Sequence, residues 1–203
     1  MFHSVFLGRQ PVNLSSCPYA VQNTDLLIGT YSGYNAVKPF YGLYNYSITA
    51  SIYTQSQVGS SKQITGLQVY ARSFTTPYTV LNQEIWIGEI TNSTFPTSTP
   101  AVDFSDLTFV SGKPLTKVKA SFTFTVSNNY TWINVTFDTP YCYDGTNNVI
   151  LVWKNYDGTW QSGFGEFQVG NVVSRGMYKV NDPAFPTGNG TRDNFPLLVK
   201  FNY

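Results

Sequence analysis

Two Asp-Gly pairs, Asp144-Gly145 and Asp157-Gly158, bracket an unbroken apolar run in TPYCYDGTNNVILVWKNYDGTW (139–160). Loop carboxylates are the usual ligands of Ca²⁺, and Asp103, Asp106, Asp182 and Asp193 also fall in loop or turn sequence. Asp-Gly is equally the chemistry of a strand corner, where Asp bonds its own turn and Gly takes the positive φ. No D-x-D-x-D run favours the ion. Asp144 and Asp157 are therefore read first as corners and second as weak calcium ligands, and no other cofactor is implied.

Catalytic constellations are sparse. His3 is the single histidine and sits at the N-terminal fringe, which leaves little for a His-based triad or a His-rich metal site. G-x-S-x-G, C-x-x-C and P-loop patterns are absent. Among 11 acidic residues, Glu84 with Glu89 or Glu166 with Asp157 would be the acid pairs of a glycosidase, but no spacing selects either. Glu84 and Glu89 are five apart in strand-like sequence and point to opposite faces. The expectation is a protein without catalytic activity.

Recognition of a sugar would use exposed rings as stacking platforms. Candidates are Trp160, Phe164 and Phe167 in DGTWQSGFGEFQVG (157–170), and Tyr31 and Tyr34 in GTYSGYN (29–35). With 15 Tyr, 15 Phe and 4 Trp, most rings must be core, and Trp86 and Trp132 are expected there.

These residues need a β-scaffold. Helical periodicity is nearly absent, while β-branched and aromatic runs recur between turn signals. Strands are expected at 44–54, 62–73, 82–90, 117–126, 130–138, 148–155, 175–181 and 196–203. In 130–138, Trp132, Asn134, Thr136 and Asp138 alternate with Ile133, Val135 and Phe137. VILVW (149–153) does not alternate, which predicts a central strand buried on both faces. Two long connections, 91–114 and 181–196, are expected to be functional or disordered.

Composition narrows the class. Charged residues make up 11% of the 203-residue chain and the net charge is +1, so nothing draws in nucleic acid. Lys113, Lys117 and Lys119 read as a solvated face. No apolar run reaches the length of a membrane span. Cys17 and Cys142 are either one bridge or two thiols. The sequons at Asn13, Asn45, Asn92, Asn129, Asn134 and Asn189 follow from the abundance of Asn, Ser and Thr. The opening MFHSVFLGRQPVN lacks the basic region, long apolar stretch and cleavage site of a secretory signal. That leaves a mature module behind a methionine, or a protein that needs no signal.

Four blocks in order carry a resemblance. They are IGTYSGYNAVKPFYGLYNYSITASIYT (28–54), IWIGEITNSTFPTSTPAVDFSDLTFVSG (85–112), WINVTFDTPYCYDGTNNVILVW (132–153), and RGMY (175–178) with VKFNY (199–203). Together they resemble the β-sandwich modules repeated in secreted surface proteins of Bacteroidota, over residues 26–203. The resemblance implies an all-β, single-domain, two-sheet antiparallel β-sandwich, jelly-roll-like and non-catalytic, with residues 1–25 as an N-terminal arm that contacts a neighbouring subunit. The usual modules lie within long secreted chains, whereas here one copy follows Met1. The expectation is a virion subunit of a phage of that bacterial group, displayed on the virion surface as a decoration, penton, spike or fibre component. Its partners would be other virion subunits, as a homo-oligomer or bound to a capsomer, and a host surface glycan. The alternative is an adhesin or carbohydrate-binding module at the bacterial cell surface.

Overall fold

The computed structural model describes residues 17–72, 75–96, 101–102 and 107–203. Two antiparallel sheets are stacked face to face, with a single short helix, α1 (Gln55–Val58), among the described residues. In chain order the strands are β1 (Asp25–Ile28), β2 (Gly33–Asn35), β3 (Tyr46–Tyr53), β4 (Lys62–Arg72), β5 (Tyr78–Ile90), β6 (Ala101–Val102) and β7 (Thr116–Val126). They continue with β8 (Thr131–Tyr143), β9 (Asn148–Asn155), β10 (Glu166–Val169), β11 (Gly176–Asn181), β12 (Gly190–Asp193) and β13 (Val199–Asn202).

The six-stranded sheet runs β1-β13-β4-β10-β2, with β8 on the other side of β4. The seven-stranded sheet runs β6-β12-β11-β3-β9-β5-β7. The expected strands all form. β10 and β12 add four-residue strands in stretches that read as loops, so residues 166–169 of the Gly-rich segment 158–170 are sheet.

Period-two alternation places the main core between the sheets. Val135 and Phe137 of β8 point inward, as do Leu67, Val69 and Ala71 of β4. Trp153 anchors this layer, with Phe40, Phe122 and Phe124 at ring-centroid distances of 6.2, 5.7 and 5.4 Å. Each such fully buried side chain contributes roughly 1.5–3 kcal/mol relative to exposure.

β9 lies between β3 and β5, and its apolar run is buried on both faces as its lack of alternation predicts. Val149, Leu151 and Trp153 enter the main core, whereas Ile150 and Val152 enter a second one. That second core corrects the expectation for the long connections. Phe95, Leu107, Phe109, Leu115 and Phe185 lie over Ile48, Ala50 and Ile52, covering the outer face of the seven-stranded sheet. Asp103 and Asp106 lie outside the described residues.

Of the expected arm, residues 17–25 are joined to the sandwich. Cys17 is disulfide-bonded to Cys142 of β8. Thr24 and Tyr203 exchange backbone hydrogen bonds at 3.0 Å, and β1 pairs with β13. Residues 1–16 lie outside the described part. The bridge links residues 125 apart in sequence, a separation at which cross-links restrict the unfolded chain strongly, typically by about 2–4 kcal/mol.

Candidate functional site

Both Asp-Gly pairs are corners. Asp144 accepts from Thr146 N at 2.9 Å and from Thr146 Oγ1 at 2.5 Å. Burial pushes its carboxyl up, but the Thr146 bonds outweigh that and leave it below the usual carboxylate range. Gly145 has φ +84°, and a Cβ there would strike the Ser61 backbone. Asp157 accepts from Leu81 N and from Gln161 Nε2, each at 3.2 Å, while Gln161 Nε2 also reaches Thr79 O at 2.6 Å. Burial raises the Asp157 carboxyl. Asp144 thus spends its hydrogen bonds on its own turn, and Asp157 on its own loop and the adjoining strand β5. Among the described residues, no three His, Cys, Asp or Glu side chains converge as a metal site.

The ring candidates separate. Phe167 is 1% exposed, paired with Phe40 and Phe124 at 5.4 and 5.9 Å, and cannot be a platform. The reason is β10: alternation turns Glu166 and Gln168 outward and Phe167 inward. Phe164 is half-buried against Tyr41 at 5.6 Å. Trp160 is 59% exposed on its loop, within a surface that also exposes Leu43 and Leu81. Gln161 and Asp157 tie that loop to the neighbouring turns, where Gln161 N donates to Gly42 O at 3.1 Å.

Tyr31 and Tyr34 meet edge to face at 5.5 Å. The Arg72 guanidinium lies 3.7 Å over the Tyr34 ring and is ion-paired with Glu166 across the β4–β10 register. This places Tyr34 on the outer face of the six-stranded sheet, and the same face holds a residue expected in the core. Trp132 is only partly buried, 5.4 Å edge to face from Tyr70, with Lys200 Nζ 4.3 Å over its ring. Trp86 likewise lies partly buried on the outer face of the other sheet, beneath Lys154 at 4.1 Å and Lys117 at 5.1 Å. Lysine stems cover both indoles; Trp86 also packs against the second core, whereas Trp132 is shielded without joining either core.

Beside the Tyr70–Trp132 pair the outer face carries an amide ladder in register across four strands. Asp25, Asn202, Gly66 and Thr136 form one row, and Leu27, Lys200, Gln68 and Asn134 the next. Gln68 Nε2 donates to Asp25 Oδ2 at 2.9 Å, Asn202 Nδ2 to Asn134 Oδ1 at 2.5 Å, and Asn134 Nδ2 to Thr136 Oγ1 at 3.3 Å. Charges on this face are matched within it: Arg72 by Glu166, and Lys200 and Asp25 by a ring and an amide. The result is a neutral surface of rings, amides and hydroxyls, with no second layer of described residues over it. Only Tyr31 and Tyr34 of its members stand among the sequence candidates. The signal for Trp132, Asn134 and Thr136 was present in the clean alternation of 130–138.

A second constellation is buried. Glu89 of β5 is 0% exposed, 3.1 Å from Lys113 Nζ and 3.4 Å from the Tyr141 hydroxyl, which donates to it; its Oε2 has no hydrogen-bond partner. Burial pushes the Glu89 carboxyl up, opposed by Lys113 and reinforced by Asp144. Lys113 also donates to Cys142 O at 2.7 Å. The lysines expected on a solvated face are therefore engaged: Lys113 with Glu89, Lys117 with Glu84 at 2.6 Å, and Lys119 with Asp138 at 2.6 Å. Lys38 is wholly buried, 3.0 Å from Asp193 Oδ2, and donates to Met177 O at 2.5 Å; burial lowers its ammonium pKa against the pull of Asp193. Both groups tie loops to sheet ends. Glu84 and Glu89 do lie on opposite faces, and Glu166 and Asp157 are engaged with different partners.

No protein-family model matches the sequence, and no curated protein matches it either. No helix among the described residues is long and apolar enough to cross a membrane.

Proposed function

We propose that the chain is a non-enzymatic structural subunit of a bacteriophage particle infecting Bacteroidota, as a decoration, penton, spike or fibre component that works through protein contacts and host-surface attachment. The observation that carries this reading is the outer face of the six-stranded sheet, a broad neutral surface that the described residues leave uncovered while they cover its counterpart. The four resemblance blocks fall largely on β3, β5, β8, β9, β11 and β13, so they specify the scaffold and leave function to its surface. Low charge and abundant rings suit wet, polar-aromatic contacts with neighbouring subunits. Mass spectrometry of purified particles tests the reading. The chain is expected among the virion proteins, and its absence from particles encoded beside it overturns the assignment.

A second reading, a cell-surface adhesin or carbohydrate-binding module, is favoured by the Tyr34 and Trp132 ring pairs beside an amide ladder. Affinity electrophoresis against host capsular polysaccharide tests it. Retardation lost in Trp132→Ala or Tyr34→Ala supports this reading, retardation lost only in Trp160→Ala moves the site to the 156–161 loop, and no retardation rejects it.

A further inference from the structure

Three side chains that could react with one another meet beside the disulfide. Glu89 lies at the end of β5, Lys113 closes the turn that starts at Val110, and Asp144 opens the corner after β8. Their main chains are fixed. Glu89 N donates to Lys113 O at 3.2 Å, Val110 N to Glu89 O at 2.9 Å, and Lys113 N to Val110 O at 2.9 Å. Both Thr146 bonds fall on Asp144 Oδ1, which leaves Oδ2 toward Lys113. Lys113 Nζ is thereby set 3.1 Å from Glu89 Oε1 and 4.0 Å from Asp144 Oδ2, a gap that a small rotation of the flexible lysine stem closes.

Glu89 is the group that an ion pair alone does not explain. Its side chain is wholly buried, Oε1 takes Lys113 and Tyr141, and no donor reaches Oε2. The neighbour that remains is another carboxyl, that of Asp144. Two carboxyls can bond only through a shared proton, and burial favours that proton on Glu89. A buried acid in contact with an amine and a second carboxyl is placed to carry protons between them. The other buried pair lacks this part. Lys38 and Asp193 are 3.0 Å apart and more deeply buried, yet no second carboxyl pairs with Lys38 among the described residues.

We propose that Lys113 and Asp144 join through an amide bond between Lys113 Nζ and Asp144 Cγ, with Glu89 carrying the protons. The Lys113 ammonium gives a proton to Glu89, and Glu89 passes it to Asp144 Oδ2 as the freed amine attacks Cγ. A second proton leaves the nitrogen by the same route, the C–Oδ2 bond breaks, and that oxygen departs as water. One ammonium and one carboxylate become a neutral amide, and Glu89 ends as it began. No co-reactant is needed. Groups held this close react with effective molarities that can reach the order of 10⁵–10⁸ M, which offsets the cost of condensation in water. The bond would tie the turn at Lys113, next to the cover of the second core, to the corner of β8, where Lys113 already donates to Cys142 O at 2.7 Å. Beside the Cys17–Cys142 bridge it makes a second covalent tie at this end of the sandwich. The inference does not depend on the particle assignment.

Intact-mass measurement of the full chain, reduced and denatured, tests the proposal. The mass is expected to fall below that of the sequence by one water, and trypsin is expected to release residues 73–117 joined to 120–154, with fragmentation placing the branch on Lys113 and Asp144. Lys113→Arg, Asp144→Ala and Glu89→Gln are each expected to show their full sequence mass. A native near-ultraviolet circular dichroism spectrum of Glu89→Gln establishes that its unjoined chain is folded. Full sequence mass in the unaltered chain overturns the proposal. A water loss that persists in Lys113→Arg, as from a cyclised Asp-Gly pair, also overturns it, and a joined Glu89→Gln chain overturns the part given to Glu89.

Discussion

The outer faces of the two sheets are solved differently by the same chain. Over the seven-stranded sheet, Phe95, Leu107 and Phe109 come from a Ser/Thr/Pro-rich connection to build a second dry core on Ile150 and Val152. Over the six-stranded sheet the chain lays nothing among the described residues, and the exposed strands answer with amides, hydroxyls and cation-capped rings. A face rich in Ile, Ala and Val needs a cover from the same chain, whereas a polar-aromatic face is stable in water and remains available. The covered face belongs to folding, and the bare one is the surface that the proposed contacts would use.

Breaking the cover has the largest expected effect. Phe95→Ala removes a wholly buried ring and is expected to cost about 3–5 kcal/mol in denaturant unfolding. A loss below about 1 kcal/mol would mean that the connection does not support the fold. The weld comes next. Replacing Cys17 and Cys142 together by Ser is expected to cost about 2–4 kcal/mol, read as a lower midpoint under non-reducing conditions.

Gly145→Ala is expected to cost about 1–3 kcal/mol, because φ +84° and the Ser61 backbone both oppose a side chain. Added Ca²⁺ or EDTA should leave the thermal midpoint unchanged if Asp144 and Asp157 serve only their turns. A calcium-dependent rise would contradict the corner reading.

Glu89 gives a pH signature. Its folded-state pKa is raised by burial, so the folded protein holds the proton more tightly than the unfolded chain. Its contribution to stability is full below the unfolded carboxyl value of about 4.3 and is lost as pH rises through the folded value. Glu89→Gln should flatten that part of the stability profile between mildly acidic and neutral pH, and an unchanged slope would exclude Glu89 as its source. The smallest effect belongs to the bare face. Trp132→Ala should cost no more than about 1 kcal/mol, the scale of an exposed ring with its lysine, and a loss comparable to Phe95→Ala would erase the contrast between the faces.

Where interactions are local or periodic, the sequence disclosed them. The alternation of 130–138, the two-sided burial of VILVW and the opposed faces of Glu84 and Glu89 all rest on the two-residue strand period. Long-range partners were hidden. Phe167 sits among glycines and reads as loop, yet its inward direction depends on pairing with Asn35 and Ala71. Phe95 and Leu107 have no period because they belong to no regular strand, and their burial follows from what Ile150 and Val152 require. The Cys17–Cys142 pairing spans 125 residues and has no local signal. Trp132 was misplaced because ring size suggests a core, while a lysine stem supplies its shielding at the surface; Trp86 does pack against the second core.

Hydroxyl-radical footprinting of the assembled particle against the free chain tests the central claim most directly. If the bare face is the contact surface, Tyr34, Tyr70 and Trp132 lose reactivity in the particle while Trp86 on the covered sheet keeps its own. Equal reactivity of Tyr34, Tyr70 and Trp132 in both states would contradict it.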